Sequence, residues 1–362
     1  MHDSLSFIAG SNALQIIRDE GLNPERIRVV TGAAGGPKWL VLGGLDRVLF
    51  GTFFRNRKRP LFLLGSSIGS WRFAAAAQKN PVSAIDRFEK AYLGQFYSRM
   101  PSTDEVSDAS RTILDEYLDD RNIGEILSHP YTRLSLLAVR SRNLFAGTSR
   151  ARLAAGMAAA TIANAISRSA MGIFFDRTLF FDPRDEPPFH GLDSFRIHRV
   201  PLAKENLKPG IMASGSIPMV MNGVSRIIGA PDGVYRDGGM IDYQLDIAAD
   251  PEPDRIVLYP HYTDMVIPGW LDKHLPWRRA HPHTMRNTLI VCPSRGFIEN
   301  LPYKKIPDRN DFMKFHGHDD ERISYWRKVI DSGRMLADEF MEAVGSGKIR
   351  NAVAPYPFTL HT

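Results

Sequence analysis

Between Gly65 and Gly69 the chain reads G-S-S-I-G, with Ser67 at its centre. A serine between glycines, where an apolar run gives way to a helix-forming one, has a defined chemical use. The sharp strand-to-helix turn lifts its hydroxyl clear of a sheet, as attack on a carbonyl requires. The flanking glycines let neighbouring backbone approach closely. Residues 61–64 form a short apolar run suited to a buried strand. Trp71, Arg72, Ala75, Ala76 and Lys79 follow at helical spacing, with alanine the best helix former. The Ile68 amide then falls in the first turn of that helix, where orphan N–H groups and the dipole favour negative charge. The competing reading is an ordinary Gly/Ser turn.

Two further stretches carry chemistry-bearing residues. At 31–48 the chain reads TGAAGGPKWLVLGGLDRV. A glycine-rich turn between strand and helix makes a nest of backbone N–H groups able to hold an anion. Lys38 has Pro37 before it and Trp39 after it, so the phosphate-binding P-loop pattern fails, and no G-x-G-x-x-G is present. What remains is an oxyanion loop with free amides at Gly35 and Gly36, or a simple tight turn. Pro37 suits the first helical position, where its missing N–H costs nothing. The third stretch is Asp237-Gly238-Gly239, preceded by the extended G-V-Y-R. Taken alone, D-G-G reads as a hairpin turn.

Taken together, GAAGGPKW, GSSIG and DGG occur in an order and context that resembles the patatin-like phospholipases. A fourth stretch, 211–239, is similar to that family's A-S-x-x-x-P segment through Ala213, Ser214 and Pro218. The resemblance runs over about 27–242 and is looser between 100 and 200. Ala34 stands where the family's loop has its first glycine, and Trp39 where it has its last; Gly35, Gly36 and Lys38 match. The resemblance implies a three-layer α/β/α fold and a Ser–Asp dyad acting on carboxylic esters of lipids. Ser67 would be the nucleophile and Asp237 the base. The amides of Gly35, Gly36 and Ile68 would hold the oxyanion, and Lys38 and Trp39 would lie at the substrate. It implies no cofactor and no metal. Alternatives on the same dyad are an acyltransferase or a thioesterase; a non-catalytic lipid-binding protein is another. A Ser–His–Asp triad is the nearest mechanistic rival, because in α/β-hydrolases the histidine follows the acid in the chain. His261 is the best placed; His281, His283, His316 and His318 come later.

Positioning these residues takes a sheet. Strands are expected at 26–31, 61–64, 133–139, 177–181, 195–200, 254–260 and 287–292, and helices at 11–19, 38–50, 68–79, 84–97, 109–118, 151–170 and 320–344. In the last helix Ile323, Trp326, Ile330, Leu336, Phe340 and Val344 share a face. Such alternation points to an α/β fold with a mostly parallel sheet. Pro- and Gly-rich stretches at 182–191 and 266–283 read as loops. No linker divides the chain, so 1–362 reads as a single domain, with 143–175 a helical cap and 266–362 a C-terminal extension.

The chain has 362 residues, 43% hydrophobic and 24% charged, which is globular material with enough for a core. Its net charge of +6 favours solubility or attraction to anionic surfaces. The densest basic run is RNRKRP at 55–60; without a zinc or RNP pattern beside it, nucleic acid is disfavoured. Together with the Arg-flanked apolar segment 149–175, it suggests transient contact with anionic membrane. One cysteine, Cys292, leaves no intrachain disulfide and suits a reducing compartment. No signal peptide and no run of about 18 apolar residues is seen, so the expected location is cytoplasmic with peripheral membrane contact.

Overall fold

The short apolar runs become strands of one mixed sheet, and the computed structural model describes residues 4–189, 192 and 194–357. The strands are β1 (Leu5–Ala9), β2 (Ile27–Gly32), β3 (Leu61–Ser66), β4 (Thr132–Ser141), β5 (Phe175–Phe181), β6 (Ile197–Pro201), β7 (Val224–Ser225), β8 (Val234–Asp237), β9 (Ile256–Pro260), β10 (Thr288–Pro293) and β11 (Val353–Pro355). The main path runs β11-β1-β10-β9-β2-β3-β4-β5-β6, and the β7–β8 hairpin attaches to β4. The centre, from β10 through β4, is parallel. β1 on β10 and β5 on β4 are antiparallel. β2, β3 and β10 are buried along nearly their whole length, as strands covered on both faces must be.

Helices flank this sheet: α1 (Ser11–Glu20), α2 (Gly43–Val48), α3 (Ile68–Ala76), α4 (Pro81–Leu93), α5 (Thr103–Tyr117), α6 (Asp120–Leu127), α7 (Arg150–Ile166), α8 (Lys204–Gly215), α9 (Arg295–Asn300), α10 (Asn310–Lys314), α11 (Asp319–Gly345) and α12 (Ile349–Ala352). The molecule is thus a mixed α/β structure with a large, mostly parallel central sheet. The expected strands all form, within two residues at each end. The alternation of Leu5, Phe7 and Ala9 as buried residues marks β1, which the sequence reading lacked. In α11 Trp326, Ile330, Leu336 and Phe340 are buried as expected, while Ile323 and Val344 are half-buried.

The helix expected over 38–50 is broken into three. A 3₁₀ stretch (Gly36–Leu42) precedes α2, and a π stretch (Leu49–Phe53) follows it. Residues 266–362 supply β10 and β11, so this part of the chain is built into the sheet beside β9 and β1. Of the loop expected at 182–191, residues 190 and 191 lie outside the described residues, and 182–189 has no helix or strand. The 266–283 stretch contains a 3₁₀ turn (Trp270–His274).

α2 and α3 are joined by a buried ion pair. Arg72 donates from Nε to Asp46 Oδ2 at 2.8 Å and from Nη2 to Oδ1 at 2.6 Å, with both residues 2% exposed. The pair locks the helix after Ser67 to the helix after the glycine-rich loop. Removing one partner of such a pair leaves a buried charge without compensation, at a cost of about 3–5 kcal/mol. Asp46→Ala should therefore lower the unfolding free energy by about that amount in urea titration. The double change Asp46→Leu with Arg72→Met should lose much less. Equal losses in the single and double variants would show that the charge pairing is not what couples these helices.

Candidate functional site

β4 brings Ser67 and Asp237 together by register. β3 pairs with β4 in parallel up to Ser66 opposite Leu137. β8 takes over from there, antiparallel, with Asp237 opposite Ala138. Ser66 and Asp237 therefore stand against consecutive residues of one strand, and Ser67 is the next residue beyond Ser66. Its Oγ donates to Asp237 Oδ2 at 2.7 Å. Both side chains are buried, Ser67 at 2% and Asp237 at 5% exposure.

Ser67 has φ 53° and ψ −127°, a strained conformation for a residue with a side chain. The turn is held from two sides. A Cβ on Gly69 would stand 2.1 Å from the Gly32 carbonyl oxygen at the end of β2, so only glycine lets α3 start this close to the sheet. On the other side, the Ser67 amide donates to Ser214 Oγ at 2.9 Å. Ser214 Oγ donates to the Leu137 carbonyl at 2.6 Å and lies 2.8 Å from Ser70 Oγ. Ser214 has one proton, given to Leu137, so Ser70 donates to it. The A-S-x-x-x-P segment at the end of α8 is thus a clip between β4 and the Ser67 turn. The Asp237 amide donates to the Ser216 carbonyl at 2.9 Å, which ties β8 to the same segment.

Asp237 Oδ1 accepts the Gly239 amide at 2.7 Å. Burial pushes its carboxyl above the usual aspartate range, opposed by Arg309, the Ser67 hydroxyl, the Gly239 amide and Lys273. The direction is that of a stronger base than an exposed aspartate.

The glycine-rich loop lies beside Ser67. Gly36 has φ 56°, in the left-handed region that favours glycine, and opens the 3₁₀ stretch. Among the described residues, no acceptor takes the Gly35 or Gly36 amide. Two cavities meet at Ser67. One, of about 290 Å³, gathers the charged groups Lys38, Asp237, Lys273, Asp308 and Arg309 with Gly35, among apolar neighbours that include Ile217, Met240 and Trp270; it is called the polar cavity for those charges. The other, of about 340 Å³, is mostly apolar; Trp71, Val106, Ile113, Val220 and Phe312 line it, with Gly36 and Ile68. Ser67, Ile217 and Arg309 belong to both walls.

Ser67, Asp237, Gly35, Gly36, Ile68 and Lys38 therefore converge. Trp39 does not. It is 1% exposed, stacks on Phe88 at 4.5 Å and meets Tyr92 edge-on at 5.6 Å, and it lines neither cavity. The expectation that it lies at the substrate is corrected: its indole is part of the core beneath the loop. His261 does not join Ser67 and Asp237. Burial draws its imidazole down to about 3, its Nδ1 is engaged with Thr263, and its ring stacks on Tyr262. Among the described residues no group of three His, Cys, Asp or Glu is placed to hold a metal ion.

The segment 149–175 lines neither cavity. Leu153, Ala160, Met171, Phe174 and Phe175 form a separate small core with Phe145, Met240 and Ile241. This core abuts the D-G-G turn, and Asn164 Nδ2 donates to Asp272 Oδ1 at 2.7 Å. The basic run 55–60 precedes β3, so it lies at the strand end opposite Ser67, about 20 Å away by strand rise. Arg57 there is buried against the carbonyls of Pro24, Arg59 and Pro60. Sequence reasoning missed Lys273 and Arg309, which reach the site from segments without a motif. No described helix is long and apolar enough to cross a membrane.

No family model and no curated protein matches the chain. Among solved structures, VipD from Legionella pneumophila is similar with a TM-score of 0.31 and 10% identity over 65% of this chain. The match spans half of the VipD chain. A likeness this distant carries no weight for fold or activity.

A raised aspartate makes a definite stability pattern. The folded state favours the protonated carboxyl, so its contribution is complete below the ordinary value of 3.8 and is lost as pH rises through the raised one. Asp237→Asn removes that loss. The variant should melt above wild type near pH 7, with the gap shrinking towards pH 4. Calorimetry at the two pH values decides; a gap that is equal at both, or larger at pH 4, rules out a raised Asp237.

Proposed function

We propose that the protein is a serine esterase acting on lipid carboxylic esters, with Ser67 as nucleophile and Asp237 as general base. The observation that carries the reading is the 2.7 Å hydrogen bond from Ser67 Oγ to a buried carboxylate at the junction of two cavities. Asp237 takes the Ser67 proton as Oγ attacks the ester carbonyl, and the acyl group is transferred to Ser67. The same proton passes to the departing alcohol. Water then enters, gives a proton to Asp237 and attacks the acyl-enzyme; as the Oγ–acyl bond breaks, Asp237 returns that proton to Ser67 Oγ and the acid leaves. The amides of Gly35, Gly36 and Ile68 are the groups that hold the developing oxyanion, each worth about 10²–10³ in turnover. The apolar cavity suits the acyl chain and the polar one the alcohol. Exposed Met313 lines the apolar cavity, and exposed Phe96 and Met100 are the sequence neighbours of its lining residues Gln95, Tyr97 and Pro101; they suit contact with a lipid surface better than the distant run 55–60.

A fluorophosphonate probe should add covalently to Ser67, and Ser67→Ala should neither label nor hydrolyse p-nitrophenyl esters of graded chain length. An adduct mapped elsewhere by tryptic mass spectrometry removes the proposal.

Turnover should rise with pH as Asp237 loses its proton, with a midpoint above the ordinary aspartate value. Asp237→Asn should lower kcat by about 10⁴, by analogy with losing a triad member. His261→Ala should retain most activity. The opposite pattern, a tolerant Asp237 and an essential His261, supports a triad instead.

A further inference from the structure

The polar cavity holds three cations that come from distant parts of the chain: Lys38 from the glycine-rich loop, Lys273 from the 3₁₀ turn and Arg309 from the segment before α10. Among the described residues none of the three has a carboxylate within salt-bridge distance or a side-chain hydrogen bond. Lys38 Nζ stands 4.9 Å from the centre of the Tyr262 ring. Lys273 Nζ stands 4.0 Å from that of Tyr243 and 5.4 Å from that of Trp270. Aromatic faces attract a cation without neutralising it. Arg309 lies against the loop itself, since a Cβ on Gly36 would stand 2.9 Å from its Nε.

The acidic groups in the same cavity are already engaged. Asp237 accepts from Ser67 and Gly239. Asp308 accepts from Lys305 Nζ at 3.1 Å and from the Asn310 amide at 2.8 Å. Lys273 is open to solvent, yet the cleft walls, with Lys38 and Arg309 adding repulsion, draw its ammonium below the ordinary lysine range. Asp237 and Asp308 offset these charges only in part, three cations against two carboxylates that are already hydrogen-bonded, and such an excess beside Ser67 is costly to the free protein. It becomes favourable when an anion enters.

We infer that the polar cavity is a receptor for a phosphate group carried on the alcohol side of the ester, held by Lys38, Lys273 and Arg309. This rests on the esterase reading of Ser67. Three separately mounted cations suit the several oxygens of a tetrahedral dianion, and Arg309 can grip two of them at once. No free carboxylate is left in the cavity for a cationic headgroup end. The assigned substrate class is an acyl ester of a phosphorylated alcohol whose phosphate is unsubstituted. Lys273 and Arg309 select for it.

The test compares oleoyl-glycerol 3-phosphate, oleoyl-glycerol and oleoyl-glycerophosphocholine, which share one acyl group. Wild type should prefer the first over each of the others by tenfold or more in kcat/KM, mainly through KM. In Lys273→Gln and Arg309→Gln the ratio should fall towards one, which a general loss of activity would not produce. A wild-type ratio near one, or ratios unchanged in both variants, overturns the proposal. Calorimetric titration with glycerol 3-phosphate reads the same cavity without turnover, and both variants should weaken binding at least tenfold. No binding to wild type overturns it. Inorganic phosphate binding as tightly as glycerol 3-phosphate, without any ester preference, assigns the cavity to free phosphate and overturns the substrate role. Ser67 labelling with neutral-ester turnover but no phosphate preference sinks this inference alone. Absence of both labelling and turnover sinks the esterase reading.

Discussion

One edge of β4 sets the whole site. β3 occupies that edge as far as Leu137, and β8 occupies it from Ala138. A serine at the end of one strand and an aspartate at the end of the other are thereby brought to adjoining places, although 170 residues separate them in sequence. Strand register moves in whole residues, and a shift of one would turn each side chain to the opposite face. The Ser67–Asp237 distance is therefore a consequence of pairing along the sheet. Within the long connection between β5 and β8, Ser214 and Ser216 add to this by holding the Ser67 turn and the Asp237 amide.

The strained turn at Ser67 persists because its surroundings leave it no alternative. Gly69 presses on the end of β2, Ser214 grips the Ser67 amide from α8, and the Arg72–Asp46 pair anchors α3 to α2. Three elements remote in sequence thus each fix one side of a single residue. Strain of about 1–3 kcal/mol is tolerable when the surrounding packing over-determines the conformation. Trp39 takes part from below: stacked on Phe88 and set edge-on to Tyr92, it supports the start of the 3₁₀ stretch. A large aromatic residue at that position is accommodated by this packing in the core.

The electrostatics of the site divide at Ser67. On one side Trp71, Val106, Ile113, Val220 and Phe312 make a mostly apolar wall, which Arg309 and Asp319 also join. On the other side a buried carboxylate is surrounded by lysines and an arginine. Burial raises Asp237 and the cations oppose that rise, so its basicity is set by the balance between them. A bound anion neutralising Lys273 and Arg309 would weaken the opposition and make Asp237 a stronger base. Occupancy of the polar cavity and the strength of the base are thereby linked through charge alone.

Local signals in the chain determined seven of the eleven described strands, because a short apolar run bounded by turn residues has few other uses. They also marked Ser67, Gly35 and Gly36, since glycine at a strand-to-helix turn reports a backbone constraint that neighbouring residues make visible. Asp237 was different. D-G-G by itself reads as a turn, and only its order after the other motifs singled it out. The tertiary structure alone decided the rest. Trp39 sits in the core because α4 packs beneath the loop, and no local pattern records that. The 38–50 segment broke into 3₁₀, α and π stretches although its apolar spacing suited one helix. Lys273 and Arg309 reach the site because β9 pairs beside β2 and β10 beside β9, so the segments after these strands come to the same end of the sheet as the glycine-rich loop, and a single cation in a loop looks the same in sequence wherever it ends up. Short-range conformational preference is written in neighbouring residues; convergence of charge is a property of which distant segments meet.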